Sequence, residues 1–320
     1  MIVALALLAG SAVVAMLAPT RLHRLRDTGI DPLTLIVAWL LSIAGVLFTA
    51  TAGITALLVP GHGVPGNLVA AVHGCWTVLR HGSPPEVEQL TGLAGWAVVT
   101  ALTLRLAVVA RRQHRRRRTA RRDRLDTLRL AGRTEAGSPA TLWLAHDRPL
   151  AFSLAGRPGY VVATEGLTRR LTSEQVGAVL EHERAHLRGR HHTLLAAVDA
   201  LRCVLPFLPL LRHAPAALRE LVELSADVAA VRRHGAPALR AALQRVADHG
   251  VAGEIPDSAL AAGRDAVDLR LRRLDRAPTP GLPAVRAARC VVVGLSVWAL
   301  PLLVGAGLLL VTGSLLCPFT

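Results

Sequence analysis

The sequence predicts a polytopic α-helical membrane protein of about four spans, with an α+β domain between the third and the fourth. Three observations carry this. The 320-residue chain is 52% apolar with a mean hydropathy of +0.42, high for a soluble domain. Four nearly uncharged stretches, about 2–18, 33–59, 90–110 and 291–316, come close to or exceed the roughly 20 residues that cross a bilayer. The 37 basic residues are all Arg and crowd beside these stretches. The lack of Lys fits GC-rich bacterial coding, so the expected location is a bacterial plasma membrane.

The first stretch has no basic residue before its apolar run, which favours a retained span over a cleaved signal peptide. "RLHRLRD" (21–27) follows it, and "RRQHRRRRTARRDR" (111–124) reads as a linker after the third. Seven more Arg, from Arg264 to Arg289, precede the fourth, whereas loop 60–92 holds Arg80 alone. Basic loops stay on the cytoplasmic side. The N-terminus and loop 60–92 are therefore expected outside, and 111–290 in the cytoplasm. The Arg run reads as an anchor at lipid headgroups. Direct nucleic-acid binding is not expected, since aromatics make up only 3% of the chain. The four Cys show no C-x-x-C, which excludes a Cys zinc site and a disulfide scaffold. Cys75 and Cys317 both fall on the oxidising side in this topology, so a bridge between them is an expectation.

Within the inner domain, "TLWLAHD" (141–147) and "GYVVATEGL" (159–167) are strand-like, the second suited equally to a core strand or a peptide-binding edge. A helix follows, with Thr172 and Gln175 forming a capping box and Val176, Val179, Leu180 and Leu187 at helical spacing. Further helices are expected over about 215–234 and 264–276. The apolar segment 193–211 is tempting as a fifth span, but Asp199, Arg202, Pro206 and Pro209 count against it.

"HERAHLRGRHH" (182–192) fits two zinc patterns. In both, His182 and His186 share one helix face and reach one metal, with Glu183 beside its water. As H-E-x-x-H-x-x-G-x-x-H, the third ligand is His192. That pattern needs a Met-turn, and the chain has only Met1 and Met16. Gly189 and His192 are then coincidental, or Gly189 simply ends the helix, and His191 and His192 read as a polar exit onto the membrane surface. The rival third ligand is Glu223 in "ELSAD" (223–227), with Asp227 one turn on to orient a ligating His. Glu220 lacks the following Ala-Asp. If Glu223 and His182 share an ion, 193–211 cannot cross once; it must be a hairpin bent at Pro206 and Pro209.

"VVATEGLTRRLTSEQVGAVLEHERAHLRGRHH", "LPFLPLLR" and "ELVELSADVAAV" together resemble the BlaR/MecR family of membrane metallopeptidases, gluzincins related to HtpX-type and CAAX prenyl proteases. The resemblance implies one zinc per chain on His182, His186 and Glu223, Glu183 as catalytic base, and Asp227 behind the ligands. Ala226 departs from the pattern: many antirepressor relatives have Cys there, and Ala is more HtpX-like. Zinc would activate water and Glu183 would move its proton. A second oxyanion donor is needed, for which Tyr160, His191 and His192 are candidates. The implied role is cleavage of a cytoplasmic regulator such as a BlaI/MecI-type winged-helix repressor. HtpX-like quality control and a non-catalytic zinc-binding membrane scaffold are the alternatives. β-Lactam sensing is not expected, because the sequence stops at Thr320, after the fourth span, and has no Lys for an S-x-x-K centre.

Overall fold

The computed structural model describes residues 2–26, 29–58, 85–250, 268–274 and 283–316. In chain order it has α1 (Ile2–Leu25), α2 (Pro32–Leu58), α3 (Pro85–Ala131), β1 (Gly132–Glu135), β2 (Ala140–Leu144), β3 (Ala151–Leu154), β4 (Tyr160–Thr164), α4 (Glu165–Arg170), α5 (Ser173–Arg188), α6 (His191–Val204), α7 (Pro209–His234), α8 (Ala236–Gly250) and α9 (Pro283–Leu316). A helical segment at 268–274 stands before α9. Among the described residues four helices are long and apolar enough to cross a membrane: Val3–Leu25, Pro32–Leu57, Leu90–Ala131 and Ala288–Val311. Most of loop 60–92, with Cys75, and Cys317 lie outside the described residues, so the expected disulfide does too.

α1, α2 and α9 pack on one another closely. A Cβ on Gly10 would meet the Gly305 nitrogen and the Pro301 carbonyl, each at 2.6 Å, so the backbones of α1 and α9 touch there. α3 departs from the expected linker. The run 111–124 is helical and continuous with the apolar stretch before it. From Trp96 to Ala131 there is no Gly or Pro to stop a helix, and Arg, Leu and Ala propagate one. At 1.5 Å per residue the 47-residue helix is about 70 Å long. The α+β domain is fastened to it through Arg117 to the His192 carbonyl (3.4 Å), Arg121 to the Pro158 carbonyl (2.6 Å) and Arg129 to the Tyr160 hydroxyl (2.7 Å). Part of the Arg run therefore holds protein rather than lipid.

The sheet has the order β1-β2-β4-β3, with β2 and β4 parallel and the outer pairs antiparallel. β4 is central and buried throughout, so the possible edge in "GYVVATEGL" is instead a core strand. Its last three residues, Glu165 to Leu167, begin α4. The edges are β1 and β3, and β3, a strand the sequence did not announce, runs beside α5. Trp143, Val161, Ala163 and Leu167 pack with Val176 and Leu180 of α5 and Ala242 of α8.

The chain reverses between α6 and α7 at Leu205–Leu208, with Pro209 opening α7. Pro at the first helical position costs no hydrogen bond, which is why α7 starts six residues before the expected 215. Val198, Val204, Leu210, Leu211, Leu218 and Leu221 of this pair share one buried cluster with Val14 and Leu22 of α1 and Leu35, Ile36 and Trp39 of α2. The helix that carries Glu223 is thus rooted in the apolar helix bundle.

Candidate metal centre

α5 begins on the capping box: the Thr172 hydroxyl accepts from the Gln175 backbone (3.4 Å) and the Gln175 side chain accepts from the Thr172 backbone (3.1 Å). This sets the helix phase that turns His182 and His186 inward, both buried. α7 packs along α5 and brings Glu223 and Asp227, one turn apart.

The ring nitrogens His182 Nε2 and His186 Nε2 are 3.1 Å apart. They face the two oxygens of Glu223 at 3.3 and 3.4 Å. One donor atom from each residue lies within 4.8 Å of the others. The outer nitrogens are already taken, His182 Nδ1 by Asp227 at 3.0 Å and His186 Nδ1 by His191 Nδ1 at 3.0 Å. Two imidazoles with their outer nitrogens fixed and inner nitrogens converging on a carboxylate form a zinc-type donor set with room for a fourth ligand. Glu183 is half-buried and faces the same cavity of about 200 Å³, with Val179, Ala151 and Arg270.

Burial opposes the charged form of His182, but Asp227 and Glu223 outweigh it and raise its pKa to about 9. Burial likewise opposes the Glu223 carboxylate, yet bonds with both histidines hold its pKa below the usual range. Asp227 is also held low, against burial, by Arg270 and His182. His191 is pushed down to about 4 by burial and by the neighbouring His186.

The other expected residues fall in different places. His191 is buried behind His186, on the side away from Glu223. It is no polar exit. Gly189 makes room for it: a Cβ there would run into the His191 ring. Gly189 itself has an ordinary φ of −75°, and the left-handed residue at the helix junction is Arg190, φ 49°. His192 does not join the trio; its Nε2 meets the Ser153 hydroxyl of edge strand β3 at 2.9 Å. Tyr160 is engaged by Arg129. Glu220 pairs with Arg26.

Arg270 was counted above only as a topology charge, yet it belongs to the site. It donates to both Asp227 oxygens (2.7 and 2.6 Å), and its guanidinium lies 3.4 Å from His182 Nδ1 and 3.8 Å from Glu223. Nothing in the sequence joins it to Asp227, 43 residues earlier.

The site thus brings two histidines and a glutamate into a zinc-type donor set, with a second carboxylate, Glu183, at the neighbouring helix position and lining the same cavity. Residues 114–248, which include all of these, match peptidase family M48. The matched segment is less than half of the chain and stops short of Arg270. M48 peptidases are zinc-dependent, so the match supports a gluzincin-type metallopeptidase. No solved structure matches the chain.

Proposed function

We propose that this chain is a membrane-embedded zinc endopeptidase that works at the cytoplasmic face of a bacterial plasma membrane and cleaves a cytoplasmic regulator. The observation that carries the reading is the convergence of His182, His186 and Glu223 beside Glu183, with the Glu223 helix α7 packed into a core shared with apolar helices α1 and α2. A zinc ion held by the trio supplies a Lewis acid that activates water and polarises the scissile carbonyl. Glu183 takes the water proton and passes it to the leaving amine. Of the three expected oxyanion donors we favour His192, whose ring centroid lies 6.2 Å from that of His186 and whose Nε2 meets Ser153, whereas Tyr160 accepts from Arg129 of α3 and His191 is bonded to the outer nitrogen of His186. The substrate adds as a strand to edge β3, which runs beside the helix carrying Glu183.

The regulator we favour, on the resemblance to the BlaR/MecR family, is a BlaI/MecI-type winged-helix repressor whose cleavage turns genes on. A second reading, quality control of membrane proteins in the manner of HtpX-type proteases, is favoured by Ala226. The zinc-binding scaffold reading leaves Glu183 without a task. Cells carrying native or Glu183→Gln chain separate these. Glu183→Gln should retain zinc and lose about 10²–10⁴-fold in peptidase rate, the usual share of a general base. One clipped repressor and a compact induced gene set, seen only with the native chain, are the expected result. Unchanged repressors with many stabilised membrane proteins in the Glu183→Gln strain would favour quality control.

A further inference from the structure

Segment 268–274 touches the metal site at one end and the turn between α1 and α2 at the other. Arg270 grips Asp227 with two parallel bonds and reaches Glu223. Three residues on, Arg273 donates to the Ile30 carbonyl at 3.0 Å and to the Arg26 carbonyl. The Arg270 side chain is largely buried and Arg273 is half-buried, and Leu274 packs on the cluster shared by Ala178 of α5, Ala230 of α7 and Leu239 of α8. The same turn makes a second connection. The Arg26 side chain pairs with Glu220, one helical turn before Glu223 on α7. The α1–α2 turn therefore holds both elements that fix Glu223 and Asp227: α7 directly, and Arg270 through Arg273.

We propose that Arg270 is a positioning residue for the zinc ligands, and that Arg273 makes its position depend on the turn between the first two apolar helices. A shift of α1 against α2 moves the Arg26 and Ile30 carbonyls. It thereby moves Arg273, and through the shared helical turn it moves Arg270 on Asp227. Asp227 fixes the His182 tautomer, so the metal site changes affinity without any change in its own ligands. Arg suits this task because its planar fork holds both carboxylate oxygens at once, which an ammonium cannot do. The inference rests on the zinc-peptidase reading for what the site does, but not for the link itself.

The test uses the full chain in lipid nanodiscs. Zinc affinity is measured by competition with a chromogenic chelator, and hydrogen exchange is followed across 268–274 in the metal-free protein. Arg270→Lys should weaken zinc about tenfold or more, as loss of a group that orients a ligand does. Arg273→Ala touches no ligand and no site carboxylate. It should still weaken zinc about fivefold to tenfold, within the usual range of coupling between sites, and speed exchange across 268–274. Arg273→Lys should recover part of both effects. Wild-type zinc affinity in Arg273→Ala would overturn the inference, whatever Arg270→Lys does. A native chain that takes up no zinc would sink the peptidase reading instead. The link would then stand or fall on the exchange of 268–274 in Arg273→Ala.

Discussion

One proton on one imidazole decides whether His186 can hold a metal. Its Nδ1 and that of His191 are 3.0 Å apart, so one of them donates. If His186 donates, its Nε2 keeps a lone pair for zinc; if His191 donates, that lone pair is lost. Its lowered pKa, about 4, keeps His191 neutral and so able to accept. His191→Ala should therefore cost about 10- to 100-fold in zinc affinity. Glu223→Ala should abolish tight binding, and His192→Ala should leave it alone. Metal content that falls in His192→Ala and survives in Glu223→Ala would make His192 the third ligand after all. His182 supplies a pH prediction. In the metal-free chain burial resists its charge, but Asp227 and Glu223 raise its pKa to about 9, so it is protonated at pH 7. Zinc must displace that proton. Calorimetry at pH 7 in buffers of different ionisation heats should show a proton released per zinc, and affinity should climb as pH rises toward 9. Equal heats in all buffers would contradict it. Conversely, the metal-free fold gains stability from this group in full below pH 6.5 and loses it as pH rises through about 9. The spacing i, i+4 made His182, His186, Glu223 and Asp227 legible in the sequence, because a helix converts that spacing into a shared face. The task of His191 was not legible, since it depends on a backbone reversal at Arg190.

That reversal belongs to the α5–α6 junction. A non-glycine residue in the left-handed region costs about 1 kcal/mol, and Arg190 adopts it there with φ 49°. It folds His191 back over the end of α5, into the space beside Gly189. Gly189→Ala should therefore reduce zinc affinity by displacing His191, although Ala is the better helix residue. Thermal unfolding in detergent and chelator competition on the same sample check it; an Ala variant with native affinity would show that the ring has another place to go. The same dependence on neighbours explains where element-level reading stopped. A capping box and heptad-like apolar spacing located α5 because both are local. β4 stayed ambiguous because a strand's sequence does not say whether it has one neighbour or two; β3, four residues long, lacks the alternation that announces a strand. The Arg run looked like a linker because charge density masks helix propensity, and only its lack of Gly and Pro foretold α3.

At the scale of the molecule, orientation is the open consequence. Residues of α5 and α7 that share one ion must lie on one side of a bilayer, and the chain between the two helices turns back at Leu205–Leu208 without leaving the cluster that holds α1 and α2. In the proposed topology, which rests on the Arg asymmetry, that side is the cytoplasm. Hydropathy made the four apolar helices legible, whereas the clamp at Arg26, Ile30, Arg270 and Arg273 depends on contacts across more than 240 residues and leaves no local trace. Cys203 gives a direct test, because it is exposed at the end of α6. A membrane-impermeant maleimide added to intact cells should leave Cys203 unmodified and should modify it once the membrane is opened. Its exposure means that protection in intact cells reports the bilayer and not the fold. A cysteine placed at Ile2 should behave in the opposite way and react from outside. Modification of Cys203 in intact cells would put the metal centre outside the cell, and a cytoplasmic repressor could not then be its substrate.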